Sequence, residues 1–166
     1  MTETSTPTPF ATADLCDAHA DQLQIARPEF QAYGGRRQFG GLIRTVQVFK
    51  DNVLVRRQLE KTVADAVLVI DGGGSLECAL VGDILAGMAV KNGWQGIVVN
   101  GCIRDAAAIA ALSIGIRALN THPLKSGKRG TGQESLPVTF AGVTFRPGEY
   151  LYADEDGLVV SASRLI

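Results

Sequence analysis

Two apolar runs organise the chain: Ala66-Val67-Leu68-Val69-Ile70, and Ile97-Val98-Val99 set between Gly96 and Asn100. Unbroken runs of this length predict strands buried on both faces. Asp71-Gly72-Gly73-Gly74 follows the first run and predicts the strand's end in a flexible loop, with a helix from near Ser75 or Asp83 to Asn92. After the second run, Gly101-Cys102-Ile103 predicts a turn and Arg104 to Leu112 an alanine-rich helix. Gly115 ends that helix, and Ile116 to Leu119 forms a third strand. Upstream, Thr12 is placed to cap a helix over 13–20, on which Leu15, Cys16 and His19 share a face. His19 there reads as a packed or capping residue rather than a ligand. Turns are expected at Gly34-Gly35 and Gly40-Gly41, a half-buried strand from Leu42 to Val48, and a helix over 52–62 whose polar face carries Arg56, Arg57, Glu60 and Lys61.

Strands alternating with helices at this spacing predict right-handed crossovers and parallel pairing, which bring the loops at the strands' carboxyl ends to one edge. A ligand site is expected on that edge. Residues 121–137 form a polar, Gly-rich loop holding His122, Lys125, Lys128 and Arg129, either a basic lid or a solvated surface loop. β character then returns at Val138-Thr139-Phe140, Val143-Thr144-Phe145, Tyr150-Leu151-Tyr152 and Leu158-Val159-Val160. The fold class is therefore α/β, a largely parallel sheet with an added layer of short C-terminal strands.

Length and composition narrow this picture. At 166 residues the chain suits one domain over 12–166, preceded by a loose arm over 1–11. A formal net charge of -1 without a Lys/Arg run argues against nucleic-acid and anionic-membrane partners. With neither a membrane span nor a signal pattern in the polar start, a cytoplasmic location is expected. Cys16, Cys78 and Cys102 are an odd number without CxxC spacing, so small buried side chains are expected rather than disulfides or a zinc site.

Candidate chemistry gathers at two strand ends, Gly82-Asp83 and Arg104-Asp105. Twenty residues lie between Asp83 and Arg104, about one βα repeat, so successive loops can bring them to the same side. Asp105 alone is accounted for by favourable charge and capping at a helix start. Arg104 is not, since a cation there opposes the helix dipole by about 0.3–1 kcal/mol. An anionic ligand or a carboxylate partner would compensate. Together a carboxylate for a hard divalent ion, a guanidinium for a substrate carboxylate and a second carboxylate to position water suffice for enolate chemistry. Gly72-Gly73-Gly74-Ser75 lacks both the P-loop and the dinucleotide spacing, only His19 and His122 are available as bases, and neither Ser75 nor any cysteine sits in a nucleophile motif.

The segment DGGGSLECALVGDILAGMAVKNGWQGIVVNGCIRD, and later GVTFRPGEYLYADEDGLVV, resembles the RraA-like family, which joins the regulator of ribonuclease E activity A to 4-hydroxy-4-methyl-2-oxoglutarate aldolase. The D-x20-R-D pattern of the aldolase branch is present as Asp83, Arg104 and Asp105. The resemblance implies a swivelling β/β/α domain assembled as a homotrimer, sometimes paired into hexamers, with sites near subunit boundaries. It implies that Asp105 ligates Mg²⁺ or Mn²⁺ and that Arg104 contacts the substrate. It further implies that the backbone amides of Gly82, Asp83, Ile84 and Leu85 hold a substrate carboxylate while the Asp83 side chain orients a water as general base. The activity implied is metal-dependent retro-aldol cleavage of 4-hydroxy-4-methyl-2-oxoglutarate or 4-carboxy-4-hydroxy-2-oxoadipate to pyruvate, with oxaloacetate decarboxylation at the same site. The alternative within the family is a protein-binding regulator that inhibits ribonuclease E.

Overall fold

The computed structural model describes residues 8–166. Helix α1 (Thr12–His19) and a single 3-10 turn lead to strands β1 (Leu23–Ile25), β2 (Gln31–Tyr33) and β3 (Phe39–Gln47). Then come α2 (Val53–Leu59), β4 (Ala66–Val81), α3 (Asp83–Lys91), β5 (Trp94–Ile103), α4 (Ala106–Ala110) and β6 (Gly115–Thr121). Short strands follow: β7 (Gln133–Glu134), β8 (Val138–Phe140), β9 (Val143–Phe145), β10 (Tyr150–Ala153) and β11 (Leu158–Ser161). The main sheet runs β1-β11-β10-β3-β4-β5-β6-β2, with β7 added beside β3. Its centre, β3 to β6, pairs in parallel and its flanks are antiparallel.

The period-2 alternation of a strand sorts the 66–70 run between two cores. Ala66, Leu68 and Ile70 face the layer of α2, α3 and α4, packing with Leu54, Leu85 and Ile109. Val67 and Val69 face the other way, onto Phe140, Phe145 and Leu151 of the C-terminal strands. Val67 through Ile70 are fully buried, and each such side chain contributes about 1.5–3 kcal/mol. The sheet thus lies between helices on one face and a β layer on the other. No helix among the described residues is long and apolar enough to cross a membrane.

Several predicted boundaries move, each because glycine reads locally as a break. Gly40 and Gly41 lie inside β3, where a side chain would collide with the backbone of Leu151 and Asp65 on neighbouring segments. Gly72-Gly73-Gly74 do not end β4. Asp71 pairs with Asn100 and Ser75 with Gly101, so the run is a bulge, with Gly73 and Gly74 at φ +67 and +73. Gly101-Cys102-Ile103 belong to β5, and α4 is only five residues long. Gly96 and Gly115 pair directly across β5 and β6, and the fully buried Phe39 ring occupies the space above both.

Thr12 is the first residue of α1, not its cap. Its N–H donates to Asp154 Oδ2 at 2.7 Å and its hydroxyl to Oδ1 at 2.6 Å, so a carboxylate 142 residues away satisfies the helix end. Phe10 packs edge-on against Tyr152, with ring centroids 5.4 Å apart, so packing begins two residues before the helix. The first seven residues of the predicted arm lie outside the described residues.

Gly115→Ala is expected to overfill the Phe39 slot and cost about 1–3 kcal/mol, lowering the thermal midpoint by several degrees in calorimetry. The Asp154 carboxyl is held below the usual range: burial raises it, and the bonds from Thr12, Asp156 and Gly157 outweigh that effect. A carboxyl depressed in the folded state contributes stability above its unfolded value, lost as pH falls through the folded one. Docking of α1 is therefore expected to loosen below about pH 3.8, read as faster hydrogen exchange in α1 that Asp154→Asn reproduces at neutral pH.

Candidate active site

The parallel centre places the β4–α3 and β5–α4 junctions side by side. Extended Gly82 leads into α3, whose first residue is Asp83. At the neighbouring junction the Arg104 N–H donates to the Val81 carbonyl at 3.0 Å, tying the two crossings together. Asp105 then adopts a left-handed conformation, φ 58 and ψ 40, which is uncommon for a non-glycine residue and tolerated best by Asp and Asn. Its carboxylate caps α3 rather than α4: Oδ2 accepts the Asp83 N–H at 3.0 Å. The cap expected at the start of its own helix is not made; the carboxylate serves the adjacent helix instead.

That bond is the main reason the Asp105 carboxyl titrates below its ordinary range; slight burial opposes it, while the Asp83 side chain and the Arg104 charge add to the lowering. Asp105 is thus an anion whose Oδ2 accepts the Asp83 N–H and whose carboxylate lies beside the Asp83 side chain. Gly82 makes the approach possible, because a side chain there would stand 2.8 Å from Asp105 Oδ2 and 3.5 Å from Arg104 Nε. The Asp83 N–H is occupied, so the amides of this turn left open to an anion, among the described residues, are those of Gly82, Ile84 and Leu85. Arg104 makes a single long bond, 3.4 Å from Nη1 to the Pro123 carbonyl, and joins no ion pair among the described residues. Its guanidinium is available to a ligand.

These groups open into a hollow of about 260 Å³ that also touches Asn52, Arg56, Ala79, Lys125, Ser126 and Lys128. Asp83, Arg104, Asp105, Gly82, Ile84 and Leu85 all line it, so the two predicted strand ends converge. His19, His122 and the three cysteines do not line it, and Cys78 and Cys102 are buried. The 121–137 loop forms one wall and is anchored through β7 on β3 and through bridges from Gly127 to Asp51 and from Lys125 to Ala79. Arg56 was concealed in the sequence as one of four polar residues on a helix face, and Asn52 as a helix start. Only tertiary pairing of α2 with the loop brings them to the site. Among the described residues no three His, Cys, Asp or Glu side chains form a metal cage.

Residues 12–160 match the RraA-like family model, described as Aldolase/RraA, and the chain belongs to this family. A protein of Laribacter hongkongensis named "Putative 4-hydroxy-4-methyl-2-oxoglutarate aldolase" is 56% identical over 157 residues, covering 95% of this chain and 99% of its own. A solved structure from Geobacillus kaustophilus, named S-adenosylmethionine: 2-dimethylmenaquinone methyltransferase, superposes with a TM-score of 0.92 at 50% identity, covering 94% of this chain and 97% of its own. The RNA-processing inhibitor RraA from Thermus thermophilis gives the same TM-score at 42% identity, with 96% of each chain covered.

Gly82→Ala is expected to push Asp105 off the α3 terminus. Hydrogen exchange at the Asp83 amide should then rise by about tenfold or more, the loss of one charge-assisted bond. An exchange rate equal to that of the unsubstituted protein would show that the close approach does not depend on this glycine.

Proposed function

We propose that this protein is a lyase that cleaves 4-hydroxy-4-methyl-2-oxoglutarate or 4-carboxy-4-hydroxy-2-oxoadipate to release pyruvate, and that it decarboxylates oxaloacetate at the same site. The observation carrying this reading is the corner where the ionised Asp105, an Arg104 guanidinium in no ion pair among the described residues, and the Gly82, Ile84 and Leu85 backbone line one hollow. The names of the aldolase relatives support the same reaction class.

The donor chemistry fits Mg²⁺ or Mn²⁺. A hard divalent ion of this kind is commonly held by one or two carboxylates, with water and substrate completing its shell. Asp105 would hold it, with Asp83 beside it. When bound, the ion supplies positive charge opposite the oxygen on which the enolate's negative charge builds.

The chain's own groups do the rest. Arg104 holds the 2-oxo acid and faces the developing oxyanion, and the first-turn amides of α3 take the C1 carboxylate. Asp83 accepts the C4 hydroxyl proton through a water. The C3–C4 bond breaks, its electron pair remains on C3, and C4 becomes a carbonyl. Protonation at C3 completes pyruvate. Oxaloacetate reaches the same enolate by losing carbon dioxide.

A protein-binding role toward ribonuclease E is the second reading, supported by the likeness to the Thermus inhibitor. The methyl transfer named for the Geobacillus protein finds less support, since no aromatic side chain among the described residues lines the hollow to stack an adenine ring. The same family reading carries a homotrimer, or a hexamer of paired trimers, for which the exposed Phe49, Leu76, Ile84 and Leu124 supply apolar surface.

The test is pyruvate release from 4-hydroxy-4-methyl-2-oxoglutarate and from oxaloacetate with Mg²⁺ or Mn²⁺. Chelator is expected to abolish both reactions, and Asp105→Ala to lower kcat/KM by about a hundredfold or more. Rates indifferent to chelator and to the substitution would reject the mechanism. Binding to ribonuclease E would survive Asp105→Ala, because that role does not use the corner.

A further inference from the structure

The hollow carries more positive charge than the cleavage step uses. Its lining includes Arg56, Arg104, Lys125 and Lys128 against only two carboxylates, Asp83 and Asp105. Arg104 serves the reacting end, and Arg56 is partnered by Glu60 at 3.1 Å. Lys125 and Lys128 join no ion pair among the described residues. Lys128 is nevertheless positioned, with Nζ 3.2 Å from Asn52 Oδ1, and Asn52 is itself fixed by donating Nδ2 to the Leu80 carbonyl at 3.2 Å.

A third acidic group nearby, Asp51, is engaged by backbone rather than by these lysines. Asp51, 2% exposed, accepts the N–H groups of Val53 at 3.1 Å and Gly130 at 3.1 Å, and also that of Arg129. Its carboxylate is spent on backbone and clamps the loop to the start of α2. Solvated surface lysines need no such clamp and no amide holding an ammonium group. Two cations stand on the wall of the hollow, one of them held by Asn52, and neither is ion-paired among the described residues, which favours an anionic ligand group there.

We infer that Lys125 and Lys128 form the receptor for the second carboxylate of a 2-oxo dicarboxylic acid. This rests on the 2-oxo-acid reading above and adds the basis of its selectivity. In 4-hydroxy-4-methyl-2-oxoglutarate that carboxylate sits on C4 and departs with the C4 fragment, so its contact is equal before and during bond breaking and lowers KM rather than raising kcat. In oxaloacetate the second carboxylate is one carbon nearer and is itself the group lost, so a cation holding it would oppose its departure. The wall therefore favours cleavage of the longer acids.

The test uses two acids of equal length that lack the hydroxyl needed for cleavage: 2-oxoglutarate, which ends in a carboxylate, and 2-oxopentanoate, which ends in a methyl group. Calorimetric titration with Mg²⁺ present is expected to show 2-oxoglutarate bound at least about tenfold more tightly. Lys128→Gln and Lys125→Gln should each reduce that ratio, the pair together should bring it near one, and Lys128→Arg should preserve it. Equal affinities in the unsubstituted protein, or a preference that survives the double substitution, would overturn the receptor while leaving the 2-oxo-acid site standing. Failure of both acids to bind would overturn the 2-oxo-acid reading and the receptor with it.

Discussion

The site depends on one hydrogen bond between neighbouring crossings, from the Asp83 N–H to the Asp105 carboxylate. It gives α3 its cap, holds Asp105 in the ionised form and fixes the spacing between two carboxylates that belong to different βα units. The left-handed backbone at Asp105 aims the carboxylate, and the bare backbone of Gly82 admits it. Backbone strain of this sort costs on the order of 1–3 kcal/mol and persists where surrounding structure over-determines it. Here the parallel centre of the sheet does so, holding both junctions at one edge.

Much of this was legible in the chain, for identifiable reasons. The 66–70 and 97–99 runs predicted central strands because burial on both faces leaves no polar position to obscure the signal. The Asp83, Arg104 and Asp105 set was legible because one βα repeat fixes which edge each loop reaches. What local sequence did not carry were contacts between distant segments. Gly40, Gly41 and the Gly72–Gly74 run read as breaks, yet their role is to let another strand or a bulge approach. The Thr12–Asp154 and Asp83–Asp105 caps reach across 142 and 22 residues, beyond any capping pattern read within one helix. Asn52 and Arg56 resembled an ordinary solvated helix for the same reason.

Family membership explains why similar chains carry such different names. The fold is shared at a TM-score of 0.92 by proteins named for methyl transfer and for inhibition of RNA processing. A sheet layered between helices and short strands specifies where a site sits, not what it does. At the crossing edge of this chain stand two carboxylates and a guanidinium that joins no ion pair among the described residues. The basic loop beside them adds a second source of discrimination, built from a different part of the sequence.

The packing of β10 bears on how the chain is threaded. Phe10 rests against the Tyr152 ring, Leu165 donates its N–H to the Tyr152 hydroxyl at 2.9 Å, and Thr12 is bound to Asp154. The segment before α1 and the segment after β11 therefore both rest on β10 and the residue that follows it. The Tyr152 side chain thus serves two segments at once, its ring one and its hydroxyl the other, so that the order of the segment before α1 and of the segment after β11 is set by a single residue of an inner strand.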